Sequence, residues 1–436
     1  MRRQSCPMAG SAGGEYNQGG PQSEIAKAAI YLPTTNQWLP IRPPAGWTQI
    51  GDAESVVLPN GKWMIGNVGT QQALLNENNL TFTPTGYGLK ICTNNEAGWT
   101  LLPDGSLFSV DNNISCGTSP SAERWVNGTW FPASSTGNVP QQLFDANGAE
   151  MGPQILMNNG NVLAIGATGN VSVYTPPPVQ TPPSFATGSW ANTTTLPALC
   201  GTSSTTQCAS TDSPASMLPN GRPLLVACPV ADTSVMPANE FPAGNRFFEY
   251  DTSVNPAAWN QPTYPGALKT QLNSDSCGFL ARMLLLPNGQ AMYVNGSKSV
   301  WFYNPKGPAP QPSWQPTITT YPATINRNTT YIISGLLFNG MSEANFYGDD
   351  TQNYTNYPIV QVTINGSGHV YYGRTHNHSS MGVAQTTLPV TTQFELWDCN
   401  PPHVVAGSAC VPESGAATLV VIANGIASAP VNVTIN

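Results

Sequence analysis

Four carboxylates stand at nearly the same distance before a turn of the form Asn-Gly or Asp-Gly. Each lies nine or ten residues ahead of a turn glycine, and the four are Asp52, Glu96, Glu150 and Asp212, counted from Gly61, Gly105, Gly160 and Gly221. Carboxylate oxygens gathered at one point are ligands for hard cations, Ca²⁺ more than Mg²⁺. The spacing predicts an acidic metal- or ligand-binding site, provided that the turns belong to equivalent structural units.

Two basic residues and two histidines are candidates for the same site. They are Arg282, Arg374, His376 and His378. With the histidines included, the site would suit Zn²⁺, Mn²⁺ or iron. In the alternative interpretation the acids cap backbone N–H groups or pair with the arginines, and the histidines form ordinary hydrogen bonds. Close carboxylates without a cation repel each other, so one of them would tend to stay protonated.

The units that would position these acids are five β-hairpins. Each has an apolar run, the turn and a second apolar run, and the copies span 54–67, 98–111, 152–166, 214–228 and 281–296. The dipeptides predict type I′ turns, which have positive φ at both central positions. The turn glycines are separated by 44, 55, 61 and 68 residues. A unit repeating at about 40 to 50 residues with insertions predicts a β-propeller, with six blades favoured and seven the alternative.

Equivalent positions in successive blades surround the propeller axis on one face, so the four acids should meet at one mouth of the channel. A first blade without its inner strands should precede the five hairpins. Residues 1–24 are rich in Gly and Ser and predict a flexible segment, and residues 25–316 form the propeller. A Pro-rich linker then leads to evenly spaced short strands, which predict an immunoglobulin-like β-sandwich over 317–436. No helix longer than a turn or two is expected.

Composition narrows the classes of partner. Only 9% of residues are charged and the net charge is −8, which argues against binding to nucleic acid or to an anionic membrane. No apolar run reaches the length of a membrane span.

The nine cysteines lack metal-ligand spacing and predict structural disulfides in an oxidising environment, hence a secreted or cell-surface protein. Candidate pairs by proximity are Cys92 with Cys116, Cys200 with Cys208, Cys228 with Cys277, and Cys399 with Cys410.

Three segments resemble the galactose oxidase and glyoxal oxidase family, over about residues 25–436. They are LLLPNG (284–289), ATLVVIANGIASAPVNVTI (417–435) and Arg374-Thr375-His376. The resemblance implies a kelch-type propeller followed by the sandwich, with the loop 374–380 projecting toward the propeller axis and facing the acids. It also implies copper held by two Tyr and two His, with one Tyr cross-linked to Cys.

The ligand positions of that family carry other residues in this chain. The Tyr-His pair corresponds to Phe279 and Leu280, and the positions for the radical Tyr hold Asp52, Glu96, Met151 and Asp212. Only His376 remains as a copper ligand. Copper is therefore not expected here, and Ca²⁺ is the ion that the acids favour.

These observations lead to three hypotheses about function. The first is a secreted or cell-surface propeller that binds a glycan or another surface protein, or has a structural role, without copper radical catalysis. The second is an enzyme, either a degenerate oxidoreductase resembling galactose oxidase or another metal-dependent enzyme at the acidic site. The third is a component that self-assembles into a surface layer or fibre.

Overall fold

The computed structural model describes residues 9–14, 23–32, 35–85, 90–111, 122–147, 150–275, 278, 280–342, 357–399 and 410–436. These residues are almost entirely β-structure. They form a six-bladed β-propeller and a further β-sheet region at the C-terminal end, which confirms the predicted all-β fold. Within the described ranges, no helix is long and apolar enough to cross a membrane.

The first three blades contain eleven antiparallel strands. Blade 1 consists of β1 (Ala9–Ala12), β2 (Ala28–Leu32) and β3 (Gln37–Ile41). Blade 2 consists of β4 (Ser55–Val57), β5 (Trp63–Gly66), β6 (Gln72–Asn76) and β7 (Thr81–Pro84). Blade 3 consists of β8 (Trp99–Leu101), β9 (Leu107–Val110), β10 (Ala122–Val126) and β11 (Thr129–Pro132).

The last three blades continue the same order from the axis outward. Blade 4 consists of β12 (Gln154–Leu156), β13 (Val162–Ile165), β14 (Val171–Thr175) and β15 (Ser189–Asn192). Blade 5 consists of β16 (Cys208–Ala209), β17 (Ala215–Met217), β18 (Pro223–Pro229), β19 (Arg246–Asp251) and β20 (Ala258–Asn260). Blade 6 consists of β21 (Arg282–Leu285), β22 (Ala291–Val294) and β23 (Trp301–Tyr303).

All five predicted hairpins are present, but their turns are not type I′. In each turn the glycine N–H donates to the carbonyl of the residue three positions earlier, as Gly61 does to Leu58 at 2.8 Å. Of the two residues Asn/Asp and Gly, only the glycine has positive φ. This is a type I turn followed by a left-handed glycine. The reason is the residue before Asn or Asp, which is proline in four of the five copies and fixes φ near −65°. The Asn or Asp side chain then accepts a hydrogen bond from the backbone two residues on, as Asn60 does from Lys62.

The segment predicted to be a flexible lead-in contributes a strand. Residues Ala9–Ala12 form β1, which pairs with β2 and supplies one of the inner strands expected to be missing from blade 1. Small residues make this packing feasible, because a Cβ added at Gly10 would lie only 2.5 Å from the ring of Trp63 in blade 2.

One helix is slightly longer than predicted. Helix α1 (Gly266–Ser274) has nine residues and precedes blade 6. Leu268 and Leu272 are four positions apart, so they lie on one face of the helix and are both buried beside β21 and β22. Two leucines in nine residues are too weak a helical pattern to predict this helix from the sequence.

The innermost strands contact one another in chain order, β4 with β8, β8 with β12, β12 with β17, and β17 with β21. Apolar clusters fill the spaces between neighbouring blades, and Trp99 and Phe108 are completely buried in the largest of them. This arrangement gives equivalent positions of blades 2 to 5 a common place around the axis.

The C-terminal region consists of short strands around one apolar core. They are β24 (Thr317–Thr320), β25 (Thr324–Ile325), β26 (Tyr331–Leu336), β27 (Ile359–Ile364), β28 (Val370–His376), β29 (Val390–Glu395), β30 (Gly415–Ala423), β31 (Ile426–Ala427) and β32 (Val431–Ile435). The first part of β28 pairs with β27 and its last part pairs with β29, so this strand connects the two halves of the sandwich.

The sandwich contacts the ends of the hairpins at the Asn/Asp-Gly turns. The N–H of Met381 donates to the Pro59 carbonyl in blade 2 at 2.9 Å, and the Gln385 side chain donates to the Pro103 carbonyl in blade 3 at 2.8 Å. The turn at Gly425 lies against Pro219 of blade 5 and Gly289 of blade 6. One side of the propeller is thus covered by turns and sandwich together.

Replacing Gly221 by alanine is expected to destabilise the protein more than replacing Gly61. Both glycines have φ near +80°, which costs an alanine about 1 kcal/mol. A Cβ at Gly221 would also lie 2.5 Å from the ring of Trp314 in the linker to the sandwich, whereas a Cβ at Gly61 meets nothing within 4 Å. Overpacking adds roughly 1–3 kcal/mol. Denaturant unfolding of both variants measures the difference, and equal losses would contradict the predicted contact.

Candidate functional site

Three of the four predicted acids lie together at the start of three inner strands. Carboxylate oxygens of Glu96, Glu150 and Asp212 are all within 4.8 Å of one another. Glu96 and Asp212 each stand three residues before an inner strand, and Glu150 stands four residues before one. We call these three residues, together with Asp52, the axial acids.

Asp52 joins this group through Glu96. The backbone N–H of Glu96 donates to the Asp52 carbonyl at 3.1 Å, and the two side chains are hydrogen-bonded to each other. In the same way the N–H of Asp212 donates to the carbonyl of Met151 at 3.1 Å. These hydrogen bonds between neighbouring blades fix the backbone at Glu96 and Asp212, and so fix the position from which each side chain extends. Four consecutive blades therefore direct carboxyl groups to one region at the axis.

The charges of the neighbouring axial acids oppose the ionisation of Glu96. Burial raises the pKa of Glu96 well above its ordinary value, and the charges of Asp212, Glu150 and Asp52 raise it further. The backbone is strained at two of the acids as well, because Glu96 and Asp212 have φ of +55° and +48°. Strained non-glycine residues of this kind concentrate at functional sites. Asp52 and Asp212 are buried, whereas Glu96 and Glu150 are half-buried and reach solvent.

The histidines and Arg374 make their contacts inside the sandwich. His376 Nε2 and Arg374 Nη1 both lie close to Glu395 Oε1, at 3.7 Å and 3.3 Å. The Nδ1 atom of His378 is 2.8 Å from Thr392 Oγ1. Burial, followed by the neighbouring His376, lowers the pKa of His378 to about 4.

This geometry differs from the expectation that residues 374–380 face the axial acids. The acids precede the inner strands, whereas the sandwich contacts the turns that follow those strands. The two groups of residues are therefore far apart, since the seven-residue step from Asp52 to Pro59 spans on the order of 20 Å in extended chain. Among the described residues, the groups able to share a metal ion contain no histidine. Arg282 begins β21, the inner strand of blade 6, and its guanidinium donates to the Ala281 carbonyl.

The disulfides agree with two of the predicted pairs. Cys200 is bonded to Cys208, and Cys399 is bonded to Cys410. Cys92 and Cys228 are also disulfide-bonded, and their predicted partners Cys116 and Cys277 lie outside the described residues. The position of Phe279, one of the family's copper-ligand positions, lies outside them too.

A second charged cluster, which the sequence analysis missed, is buried beside blade 3. The Nζ atom of Lys90 is 2.5 Å from Asp111 Oδ1, and both side chains are almost completely inaccessible to solvent. Glu123 on β10 and Glu54 before β4 are buried next to them. The sequence signal for this cluster is weak, because Glu123 stands next to Arg124 in β10 and Lys90, Asp111 and Glu54 are each isolated among uncharged neighbours.

Comparison with known proteins gives distant structural neighbours. No family model and no curated protein matches the chain. A fungal alcohol oxidase of the AA5 family, solved in complex with copper, aligns over 98% of this chain and 94% of its own, with 9% identity and a TM-score of 0.40. PorZ, a surface component of the type-IX secretion system of Porphyromonas gingivalis, covers 94% of this chain with 50% of its own, at 11% identity and a TM-score of 0.39.

A third neighbour is a protein from Lactobacillus plantarum, with 10% identity and a TM-score of 0.37 over 84% of this chain and 95% of its own. All these likenesses are too low to indicate an activity for this chain.

Proposed function

We propose that this protein is a secreted or cell-surface binding module whose axial acids hold a divalent cation, Ca²⁺ in the first place. The observation that carries the proposal is the distance among Glu96, Glu150 and Asp212, whose carboxylate oxygens lie within 4.8 Å of one another. Calcium–oxygen bonds measure about 2.3–2.6 Å, so two ligands of one ion are separated by at most about 5 Å. The three carboxylates are therefore at a spacing that one calcium ion can bridge.

The charge of the site supports the same conclusion. The charges acting on Glu96 from Asp212, Glu150 and Asp52 all oppose its ionisation. A divalent cation would reverse this balance by allowing Glu96 to ionise beside the other carboxylates. Oxygen-only ligands suit Ca²⁺, Mg²⁺ and Mn²⁺ better than copper, which prefers histidine and sulfur ligands.

The external ligand we propose is a glycan. Glu96 and Glu150 are only half-buried, so a cation between them would keep coordination positions open to solvent. Sugar hydroxyl groups are oxygen donors of the type that Ca²⁺ accepts. A surface protein bound at the same mouth is the alternative ligand. The disulfides, which persist in oxidising compartments, support placement outside the cytoplasm.

Calcium is expected to bind the wild-type protein and to bind the Glu150→Gln variant at least roughly tenfold more weakly, since the charge of the ligands tunes affinity. Isothermal titration with Ca²⁺ after removal of metals with a chelator measures both constants. Thermal unfolding gives a second reading, since a ligand at one hundred times its Kd stabilises by about 2.7 kcal/mol. The matched control is Asp232→Asn, which removes one negative charge from an exposed loop.

Two outcomes would count against this proposal, and they separate its parts. If the wild-type protein binds neither Ca²⁺, Mg²⁺ nor Mn²⁺ at millimolar concentration, the cation site is wrong. If Ca²⁺ binds but a glycan array gives no signal with either Ca²⁺ or chelator present, the glycan is wrong while the cation site stands.

A further inference from the structure

The buried cluster beside blade 3 contains a nucleophile and an electrophile in contact. The Nζ atom of Lys90 lies 2.5 Å from Asp111 Oδ1, and the two side chains are 0% and 1% exposed. Apart from Asp111, Lys90 Nζ donates to the Thr93 carbonyl at 3.2 Å and lies 5.8 Å from the centre of the Trp130 ring. The pair is therefore held in one orientation and kept away from water.

A third group is positioned to move protons. The Glu123 carboxyl group interacts with Asp111 and accepts the backbone N–H groups of Ile91 at 2.9 Å and Cys92 at 3.3 Å. One carboxyl oxygen of Glu123, one carboxyl oxygen of Asp111 and the Sγ atom of Cys92 all lie within 4.8 Å of one another. These atoms do not make a metal site, because Cys92 is disulfide-bonded and offers no thiolate.

We propose that Lys90 and Asp111 condense into an isopeptide bond, with Glu123 as the proton carrier. The reaction needs no oxidant, cofactor or second protein, because an ammonium and a carboxylate contain all the atoms of an amide and one water. A bond forms between Lys90 Nζ and Asp111 Cγ, a Cγ–O bond breaks, and the oxygen leaves as water.

The steps follow from the contacts. A proton first passes from the Lys90 ammonium to the Asp111 carboxylate, which leaves a neutral amine beside a neutral carboxylic acid. The amine nitrogen then attacks Cγ, while Glu123 donates its proton to the departing oxygen and accepts the proton that the nitrogen releases. Glu123 ends as it began, and water is lost.

The buried environment favours this sequence. Burial raises the pKa of Asp111, and burial followed by the charge of Asp111 raises the pKa of Glu123 to about 8, so the proton carrier holds its proton at neutral pH. Burial lowers the pKa of Lys90, but the neighbouring acids, Asp111 first, raise it more in sum, so Lys90 rests as an ammonium. Proton transfer within the pair is then the step that makes condensation slow. Burial favours that transfer, because removing two neutral groups from water costs less free energy than removing two ions.

The deciding experiment is the intact mass of the purified full-length chain after its disulfides are reduced and its thiols blocked. The expected mass is one water below that of the sequence. Trypsin is expected not to cleave after Lys90, so digestion is expected to yield one peptide of residues 63–124 that contains the Lys90–Asp111 cross-link and lacks one water. A chain with its full mass after prolonged incubation in the folded state, and with normal cleavage at Lys90, would overturn the proposal.

One other source of water loss must be separated. The Asp104–Gly105 turn can cyclise to a succinimide, which also removes one water. A succinimide opens in mild base, whereas the amide survives. The Lys90→Arg variant keeps Asp104–Gly105 and cannot form the amide, so it is expected to have the full mass after mild base.

Two further variants test the individual roles. In Asp111→Asn the leaving group becomes ammonia, so a reaction at this site would change the lost mass from water to ammonia. In Glu123→Gln the carrier cannot exchange its proton, and the rate of cross-linking is expected to fall by roughly a hundredfold or more. An unchanged rate in Glu123→Gln would remove Glu123 from the mechanism. Since the wild-type mass decides the main question, a variant that fails to fold leaves the test valid.

Discussion

The Glu123→Gln variant is expected to be more stable than the wild-type protein above about pH 8 and nearly equal to it at about pH 5. Burial, followed by the charge of Asp111, raises the pKa of Glu123 from 4.5 to about 8. A pKa that is raised in the folded state contributes stability that is fully present below the unfolded value and is lost as the pH rises through about 8. One pKa unit corresponds to about 1.4 kcal/mol, so the full loss is roughly 3–5 kcal/mol.

Glutamine resembles the protonated glutamate that the buried site prefers. Its carbonyl can accept the N–H of Ile91, and its amide nitrogen gives up only the longer hydrogen bond from the N–H of Cys92 at 3.3 Å. The comparison is made with Lys90→Arg present in both proteins, because this change keeps the positive charge beside Asp111 and prevents a cross-link from stabilising one protein alone.

Urea unfolding of both proteins over a pH series gives the difference directly. The two proteins are compared at each pH because both also lose stability as the pH falls below about 6.5. The cause is His378, whose pKa is lowered to about 4 in the folded protein, so that the unfolded chain takes up the proton first. Glu240→Gln, in the loop before β19, provides the charge-matched control. Parallel curves for wild type and Glu123→Gln at all pH values would contradict the prediction.

Replacing Arg124 by methionine is expected to lower the free energy of unfolding by about 3–5 kcal/mol, the usual cost of breaking a buried ion pair from one side. The Arg124 side chain is completely buried. Its Nη2 atom is 2.8 Å from Asp104 Oδ2, and its Nη1 atom donates to the Ala186 carbonyl at 2.6 Å. It thereby joins the turn of blade 3 to the segment before β15 of blade 4.

Two comparisons identify the cause of that loss. Arg42→Met removes an exposed arginine and is expected to change stability by less than about 0.5 kcal/mol. The double variant Arg124→Met with Asp104→Asn is expected to recover part of the loss, because the unpaired buried carboxylate is then neutral. Unfolding in guanidinium chloride measures all three variants. A loss below about 1 kcal/mol in Arg124→Met would show that water or another group replaces the guanidinium.

The hairpin repeat made most of the propeller predictable. A turn dipeptide between two apolar runs is a local signal, so five inner hairpins were located correctly from the sequence. The turn type was wrong because the prediction considered only the dipeptide, while the preceding proline, as at Pro59, selects the backbone conformation. Strand β1 was missed because Ala, Gly and Ser give no alternating strand pattern. Its small residues are required by packing, since the ring of Trp63 leaves no room for a side chain at Gly10.

The axial acids were predictable because one spacing repeated, and the structure brings Glu96, Glu150 and Asp212 within reach of one another. The histidines were assigned to the same place by resemblance alone, and their contacts instead lie within the sandwich. The cluster of Lys90, Asp111 and Glu123 could not be found by spacing. Its members come from a connection between blades, a strand end and a neighbouring strand, so only the folded chain brings them together.

The sandwich has a mechanical consequence for the ring of blades. Its contacts reach blade 2 at Pro59, blade 3 at Pro103, blade 5 at Pro219 and blade 6 at Gly289. By contacting blades 2 and 3 as well as blades 5 and 6, the sandwich links early and late blades of the ring and resists its opening. These contacts lie on the turn side, whereas the axial acids lie at the other ends of the inner strands. The contacts that hold the ring and the half-buried carboxyl groups of Glu96 and Glu150 are thus at opposite ends of the same inner strands.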